Sequence, residues 1–221
     1  MSLFRFFQKD PILIISPQEG YRRWAPTYQD EVNPIKKNSD FLIEKWFPVV
    51  TGKAVLDAGC GPGKYCRLAE DRGAARVSGA DISPEMLAIA RTSCMKTEFQ
   101  CIDLTTDALL KEKYDLVICA LVLGHCKHLS QALRNLASSV TPSGLLLITD
   151  FHPNQSLQKA KRTFRDRVTG QTFEIQHYTH LLGDYVSGLS ALGFSLEAIE
   201  EPAWNGSPVV FGIKARKQLP A

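Results

Sequence analysis

The chain has 221 residues, 44% hydrophobic and 22% charged, with a net charge of +3. That length and balance predict one large soluble α/β domain able to bury a real core. The charge is too small to make nucleic acid a main partner, and no apolar run approaches the roughly 20 residues of a membrane span.

Met1–Phe7 is apolar with one arginine, but Lys9, Asp10 and Pro11 interrupt it before a signal-peptide core can form. The first ~50 residues hold the aromatic clusters Phe4/Phe6/Phe7, Tyr21/Trp24/Tyr28 and Phe41/Trp46/Phe47, broken by Pro11, Pro17, Pro26, Pro34 and Pro48. They read as short helices, a lid over residues 1–50 that packs on the core. From residue 51 strand-like and helix-like segments alternate, the pattern of a parallel sheet with crossover helices. Strands are predicted over 53–57, 76–81, 98–102, 114–120 and 144–150, and helices over 64–72, 84–93 and 129–139. Ser83-Pro84-Glu85 supplies an N-cap followed by proline at the first helical position. Pro142-Ser143-Gly144 marks a turn before the fifth strand. The stretch 151–180 is too long for an ordinary connection. Its Thr169-Gly170, flanked by 165–168 and 172–176, predicts a small hairpin inserted on the side where open α/β sheets bind ligands. A helix over 180–192 and strands over 194–200 and 208–214 close the domain, which spans 51–221.

Six cysteines, Cys60, Cys66, Cys94, Cys101, Cys119 and Cys126, include no Cys-x-x-Cys pair and sit mostly in apolar contexts. They predict reduced, buried thiols in a cytoplasmic protein rather than a disulfide frame or a zinc site.

The most informative segment is Val55-Leu-Asp-Ala-Gly-Cys-Gly-Pro-Gly63, an apolar strand end running into a glycine-rich turn before a helix. Glycine at such a turn lets a ligand approach the main chain. The spacing is Gly-x-Gly-x-Gly, not the Gly-x-Gly-x-x-Gly of dinucleotide binders, and Asp57 precedes it. A carboxylate there disfavours a pyrophosphate and favours a cation. This segment resembles the first motif of the class I S-adenosylmethionine-dependent methyltransferases, small-molecule enzymes of type 11 and of the quinone- and biotin-precursor kind. The resemblance implies a Rossmann-like, seven-stranded, mostly parallel sheet with an antiparallel last strand and helices on both faces. It also implies S-adenosyl-L-methionine as cofactor. Asp57, Gly59, Cys60, Gly61 and Gly63 are the motif's contact set.

Asp81 ends the second strand, where a carboxylate can accept from both ribose hydroxyls. The alternative is an N-cap. Ile82 and Met86 would border the adenine. Asp103 ends the third strand at the family's adenine-amino position, with Leu104 on the ring; the alternative is again a cap. Tyr114–His125 resembles the family's fourth motif, and Ala120 and Leu121 would line the methionine side. Tyr21, Trp24 and Tyr28 resemble the aromatic N-terminal element that closes over the cofactor, where Tyr28 can face the sulfonium.

His125 falls just beyond the strand rim and suits a general base, or else it only shapes the pocket. His152 and His177, with His180, flank the insertion and are further base candidates; His177 and His180 lack the carboxylate or cysteine partners a metal needs. Lys159, Lys161, Arg162, Arg165 and Arg167 form a basic run, either a solvated helix face or an anion patch for a phosphate-, carboxylate- or carrier-thioester-bearing acceptor. Together these predict in-line methyl transfer to a small-molecule acceptor. The alternatives are a non-catalytic cofactor-binding module of the same fold and a Rossmann oxidoreductase.

Overall fold

The chain alternates short strand-forming segments with helical ones. In the computed structural model, which describes residues 11–30, 33–106 and 112–219, the elements are β1 (Leu13–Ile15), α1 (Pro17–Trp24), α2 (Pro34–Trp46), β2 (Ala54–Ala58), α3 (Lys64–Asp71), β3 (Arg76–Asp81), α4 (Pro84–Ser93), β4 (Glu98–Cys101), β5 (Tyr114–Ala120) and α5 (Leu129–Ser139). There follow β6 (Val140–Phe151), α6 (Pro153–Leu157), β7 (Thr163–Arg165), β8 (Thr172–Ile175), α7 (Leu182–Ala191), β9 (Phe194–Glu200), β10 (Ala203–Trp204), β11 (Ser207–Pro208) and β12 (Val210–Lys217). Of the sequence features above, the Phe4/Phe6/Phe7 cluster lies outside the described residues.

The main sheet has seven strands in the order β4-β3-β2-β5-β6-β12-β9. β2 pairs in parallel with β3 and β5, as do β3 with β4 and β5 with β6; β12 lies antiparallel between β6 and β9. The chain enters at the centre, moves out to β4, then jumps back across β2 to β5. The reversal at β2/β5 leaves a crevice at the strands' carboxyl ends, the place where such sheets bind ligands.

The pleat divides the core. Val55, Leu116, Ile118, Leu145 and Leu147 face the side covered by α2 and α3. Leu56, Val117, Cys119, Leu146 and Ile148 face the side covered by α5 and α7. Burial on both faces explains why these strands read as near-continuous apolar runs. β10 and β11 form a separate two-stranded ribbon.

Two features differ from the sequence reading. β6 starts at Val140, so Pro142-Ser143-Gly144 is a bulge inside the strand rather than a turn before it. The register with β5 jumps from Tyr114↔Val140 to Leu116↔Leu145, and Ser143 sits at φ 61. The N-terminal segment is also not purely helical. β1 pairs in parallel with β8, and β8 with β7, making a three-stranded sheet out of the two regions read separately as lid and insertion. Ile15-flanked β1 is too short to announce itself, and its partner is remote in sequence. Trp24 of α1 stacks on Phe164 at 5.2 Å, and with Phe173 and Ile175 these form a third apolar cluster. Arg23 bridges to Asp166 at 3.2 Å.

Candidate active site

The glycine-rich loop wraps the end of β3: the amides of Gly59 and Cys60 both donate to the Ala80 carbonyl, at 2.7 and 2.9 Å. Asp81 fixes the loop from below. Its Oδ2 accepts from Gly61 N at 2.8 Å and its Oδ1 from Ser83 N at 2.9 Å. Burial pushes the Asp81 carboxyl up while these two amides pull it down. β5 ends opposite at Ala120, where Leu121 takes φ 60 and donates its amide to Thr149 O at 2.8 Å.

Between these edges lies a cavity of about 360 Å³. Ile82, Met86, Ile102 and Leu104 make one apolar end, beside Asp81 and Asp103. Both bonds accepted by Asp103, from Thr105 N (2.8 Å) and Thr105 Oγ1 (2.7 Å), fall on Oδ1, so Oδ2 keeps its acceptor capacity. Tyr21, Tyr28, His125, Gln176 and Tyr178 form the opposite wall. A second cavity of about 530 Å³ lies across the glycine loop, shares Tyr28, Gly59, Gly61, Ala120 and Leu121 with the first, and adds Cys60, Lys36, Lys37, Lys64 and Tyr65.

His125 sits in a defined chain. Its Nδ1 is 2.8 Å from the Gln176 carbonyl, which only accepts, so Nδ1 carries the proton. Nε2 therefore accepts from the Tyr21 hydroxyl at 3.0 Å. Burial pushes the imidazole down to about 4 and the Tyr21 phenol well above its usual value, so both are neutral at neutral pH.

Of the residues proposed from sequence, Tyr28, Gly59, Gly61, Asp81, Ile82, Met86, Asp103, Leu104, Ala120, Leu121 and His125 line the 360 Å³ cavity, and Cys60 lines only the 530 Å³ one. Asp57 and Gly63 line neither. The pleat puts Asp57 on the same face as Val55, under α3. There it is 1% exposed, takes a weak bond from Cys66 Sγ at 3.8 Å and keeps a partnerless Oδ1, and burial pushes it up to about 8. It is not on the ligand rim with Asp81 and Asp103. Gly63 serves packing instead, since a Cβ there would stand 3.0 Å from Ala90 Cβ and Cys94 Sγ.

His152 also stands apart from both cavities. Nε2 contacts Glu201 at 2.8 Å, Nδ1 caps α6 by accepting from Asn154 N, and the ring meets Phe211. His177 points into a third, water-sized cavity of about 10 Å³, with Asp150, Arg162 and Tyr185. Gln176 lines the larger cavity, His177 and His180 line the small one, and Tyr178 lines both. No local sequence signal singles out Gln176 and Tyr178 over the neighbouring histidines. Ser16, Gln18, Thr105, Val122, Lys127 and His128 also line the cavity without having been singled out.

The basic run is not a helix face, because α6 ends at Leu157 and the run continues through a turn into β7. Cys101 is exposed, whereas the other five thiols are buried.

Residues 55–144 match the family described as methyltransferase domain. The chain is 31% identical over 185 residues to the malonyl-[acyl-carrier protein] O-methyltransferase of Enterobacter lignolyticus, covering 83% of this chain and 71% of that protein. It is 28% identical over 142 residues to the ubiquinone biosynthesis O-methyltransferase of Idiomarina loihiensis, covering 60% and 57%. The solved DhpI-SAH complex shares its fold, with a TM-score of 0.71 at 23% identity over 91% of this chain and 95% of that one.

Proposed function

Because the chain belongs to the class I S-adenosylmethionine-dependent methyltransferases, we propose that it methylates an ionised oxygen of a small or carrier-linked acceptor seated beside His125. The observation that carries this reading is the Tyr21–His125–Gln176 chain facing the cavity next to the glycine loop.

The residues present fit S-adenosylmethionine. A Cβ on Gly61 would meet nothing within 4 Å, so the backbone there leaves an open cradle. Asp81 can receive the ribose hydroxyls with its remaining lone pairs. Ile82, Met86, Ile102 and Leu104 suit the adenine, and Tyr21 and Tyr28 offer aromatic faces to a cation. When bound, S-adenosylmethionine would supply a sulfonium-activated methyl group for displacement by the acceptor oxygen, with the neutral thioether as leaving group.

The chain's own residues align the acceptor and exclude water. His125 lines the acceptor side as a neutral imidazole whose Nε2 already holds the Tyr21 proton. An imidazole held near 4 takes a proton from an alcohol or phenol poorly, because a general base works best near the operating pH. A carboxylate needs no base. The relatives are both O-methyltransferases, one of them acting on malonyl-[acyl-carrier protein], and the likeness supports oxygen and an acidic, carrier-linked acceptor here.

Residues 11–30 and 151–180, joined through the β1-β8-β7 sheet, act as the cover over that acceptor. Among the described residues no helix is long and apolar enough to cross a membrane. Free cysteines suit the reducing cytoplasm.

The test is transfer of labelled methyl from S-adenosylmethionine to matched carboxylate and phenol acceptors. Faster turnover of carboxylates is expected. A protein that binds the cofactor yet labels phenols alone would overturn the assignment.

A further inference from the structure

We propose that Arg162 receives the carboxylate of the methyl acceptor, which makes it the specificity-determining residue for acidic substrates. The proposal rests on the methyltransferase reading above and deepens it.

The basic run sorts itself by partner. Lys161 bridges to Glu174 at 3.2 Å and Arg167 to Asp30 at 3.3 Å; Arg165 donates to the Gly170 carbonyl at 3.1 Å and is exposed, as is Lys159. Arg162 alone turns inward. Among the described residues its guanidinium donates no hydrogen bond and forms no ion pair, and its Nε is buried without a partner. A guanidinium taken out of water with its donors unused is costly unless an anion completes it.

The surroundings place that anion. The Arg162 Cζ lies over the Phe151 ring, 3.1 Å from its centroid, which holds the cation against that face. The Phe151 ring in turn meets the His125 ring at 6.1 Å. Ile175 N donates to the Arg162 carbonyl at 2.8 Å, and the next residue, Gln176, is the one that holds His125. The guanidinium is therefore anchored directly behind the acceptor wall.

It opens onto the 10 Å³ cavity, whose wall residue Tyr178 also lines the 360 Å³ cavity. A space of that size holds about one water. It suits one carboxylate oxygen, with the body of the acceptor in the larger cavity. Asp150 faces the same small space, but its oxygens are engaged by Tyr185 Oη at 2.7 Å and Phe151 N at 2.8 Å. His177 and His180 complete the polar wall. A guanidinium fork matches a carboxylate in both charge and plane.

The experiment uses the full chain saturated with S-adenosylhomocysteine. Malonyl-, succinyl- and glutaryl-coenzyme A are titrated calorimetrically against acetyl-coenzyme A, which carries the same thioester without the acid. Wild type should bind at least one of the acids about 10- to 100-fold more tightly than the acetyl thioester, the range for a charge-assisted pair. Arg162→Gln should erase that preference while leaving homocysteine-product affinity within about twofold, and Arg162→Lys should restore it only in part. In turnover, the acid's KM should rise with kcat changed less.

A wild type with no preference for any acid overturns the proposal, as does an Arg162→Gln variant that keeps the preference. Equal weakening of acid, acetyl thioester and S-adenosylhomocysteine also overturns it and assigns Arg162 to packing or to a water bridge with Asp150. Should Arg162→Gln not fold, the wild-type comparison and Arg162→Lys still decide. Loss of S-adenosylhomocysteine binding by the wild type would sink the cofactor reading instead, and the thioester preference would still report on Arg162.

Discussion

Alanine at Gly61 and alanine at Gly59 should separate ligand binding from folding. Gly61 has φ +50, and a Cβ there meets nothing within 4 Å. The only intrinsic cost is a left-handed backbone for a residue with a side chain, about 1–2 kcal/mol. For a chain of this size that lowers Tm by roughly 2–8 °C. The added methyl points into open space at the mouth of both large cavities. Overfilling a ligand cradle by one methyl costs about 1–3 kcal/mol, or roughly 5- to 150-fold in affinity for S-adenosylhomocysteine. Gly59 differs. Its φ is +83, and a Cβ would stand 2.1 Å from Val122 Cγ2. Strain and overpacking then add, about 2–5 kcal/mol, against the fold itself. Urea unfolding without ligand reads the first quantity and calorimetric titration the second. Gly61→Ala should be the more stable variant and yet bind poorly. A Gly61→Ala protein with wild-type affinity, or a Gly59→Ala protein no less stable than it, would refute the cradle geometry.

Asp81→Asn should weaken cofactor binding by about 1–3 kcal/mol, whereas Asp81→Ala should also lower Tm because it releases the amides of Gly61 and Ser83; unchanged affinity in both would remove the ribose assignment. Burial holds His125 near 4, below its unfolded value, so between about pH 6.5 and 4 the unfolded chain binds more protons. Stability is intact above that window and should fall by about 2–3 kcal/mol as pH drops through it. His125→Asn should flatten this acid limb in urea titrations, and an identical limb would contradict the neutral imidazole. Asp57 has the opposite sign: held near 8, it keeps a proton that the unfolded chain has lost, so its contribution is present at low pH and fades as pH rises from about 4 to 8. Asp57→Asn should lose less stability between pH 5 and 8 than wild type, as measured by urea midpoints; equal slopes would show that Asp57 is ionised in the fold.

The main sheet was legible because its signals are local. β2 runs into Gly59, β3 ends on Asp81 and β9 on Glu200, and Ser83-Pro84 caps α4. In sequence Pro142 and Gly144 look like a turn before β6, whereas in the fold pairing with β5 resumes at Leu116↔Leu145 and carries the strand through a bulge. The glycine-loop side of the candidate site is readable for the same reason, since Gly61, Asp81 and Leu104 lie at or just past strand ends. The opposite wall of the cavity is not. Tyr21, Gln176 and Arg162 come from separate stretches, and nothing local says that Gln176 rather than His177 turns inward. Asp57 shows the limit of counting acids at strand ends: the last residues of a strand still obey the pleat, which can send a carboxylate under a helix.

The parallel pairing of β1 with β8 ties the N-terminal segment to the 151–180 stretch beside the 360 Å³ cavity. Such a contact closes a long loop, from Leu13 to Phe173, so it is expected late in folding and among the first to open. The wall that carries Tyr21 and Gln176 therefore exists only while that latch is shut. Backbone amides of β8 should exchange with deuterated solvent faster than those of β2 and β5 in the free protein. They should slow when the site is filled, so that the small sheet reports occupancy of a pocket its strands only partly line.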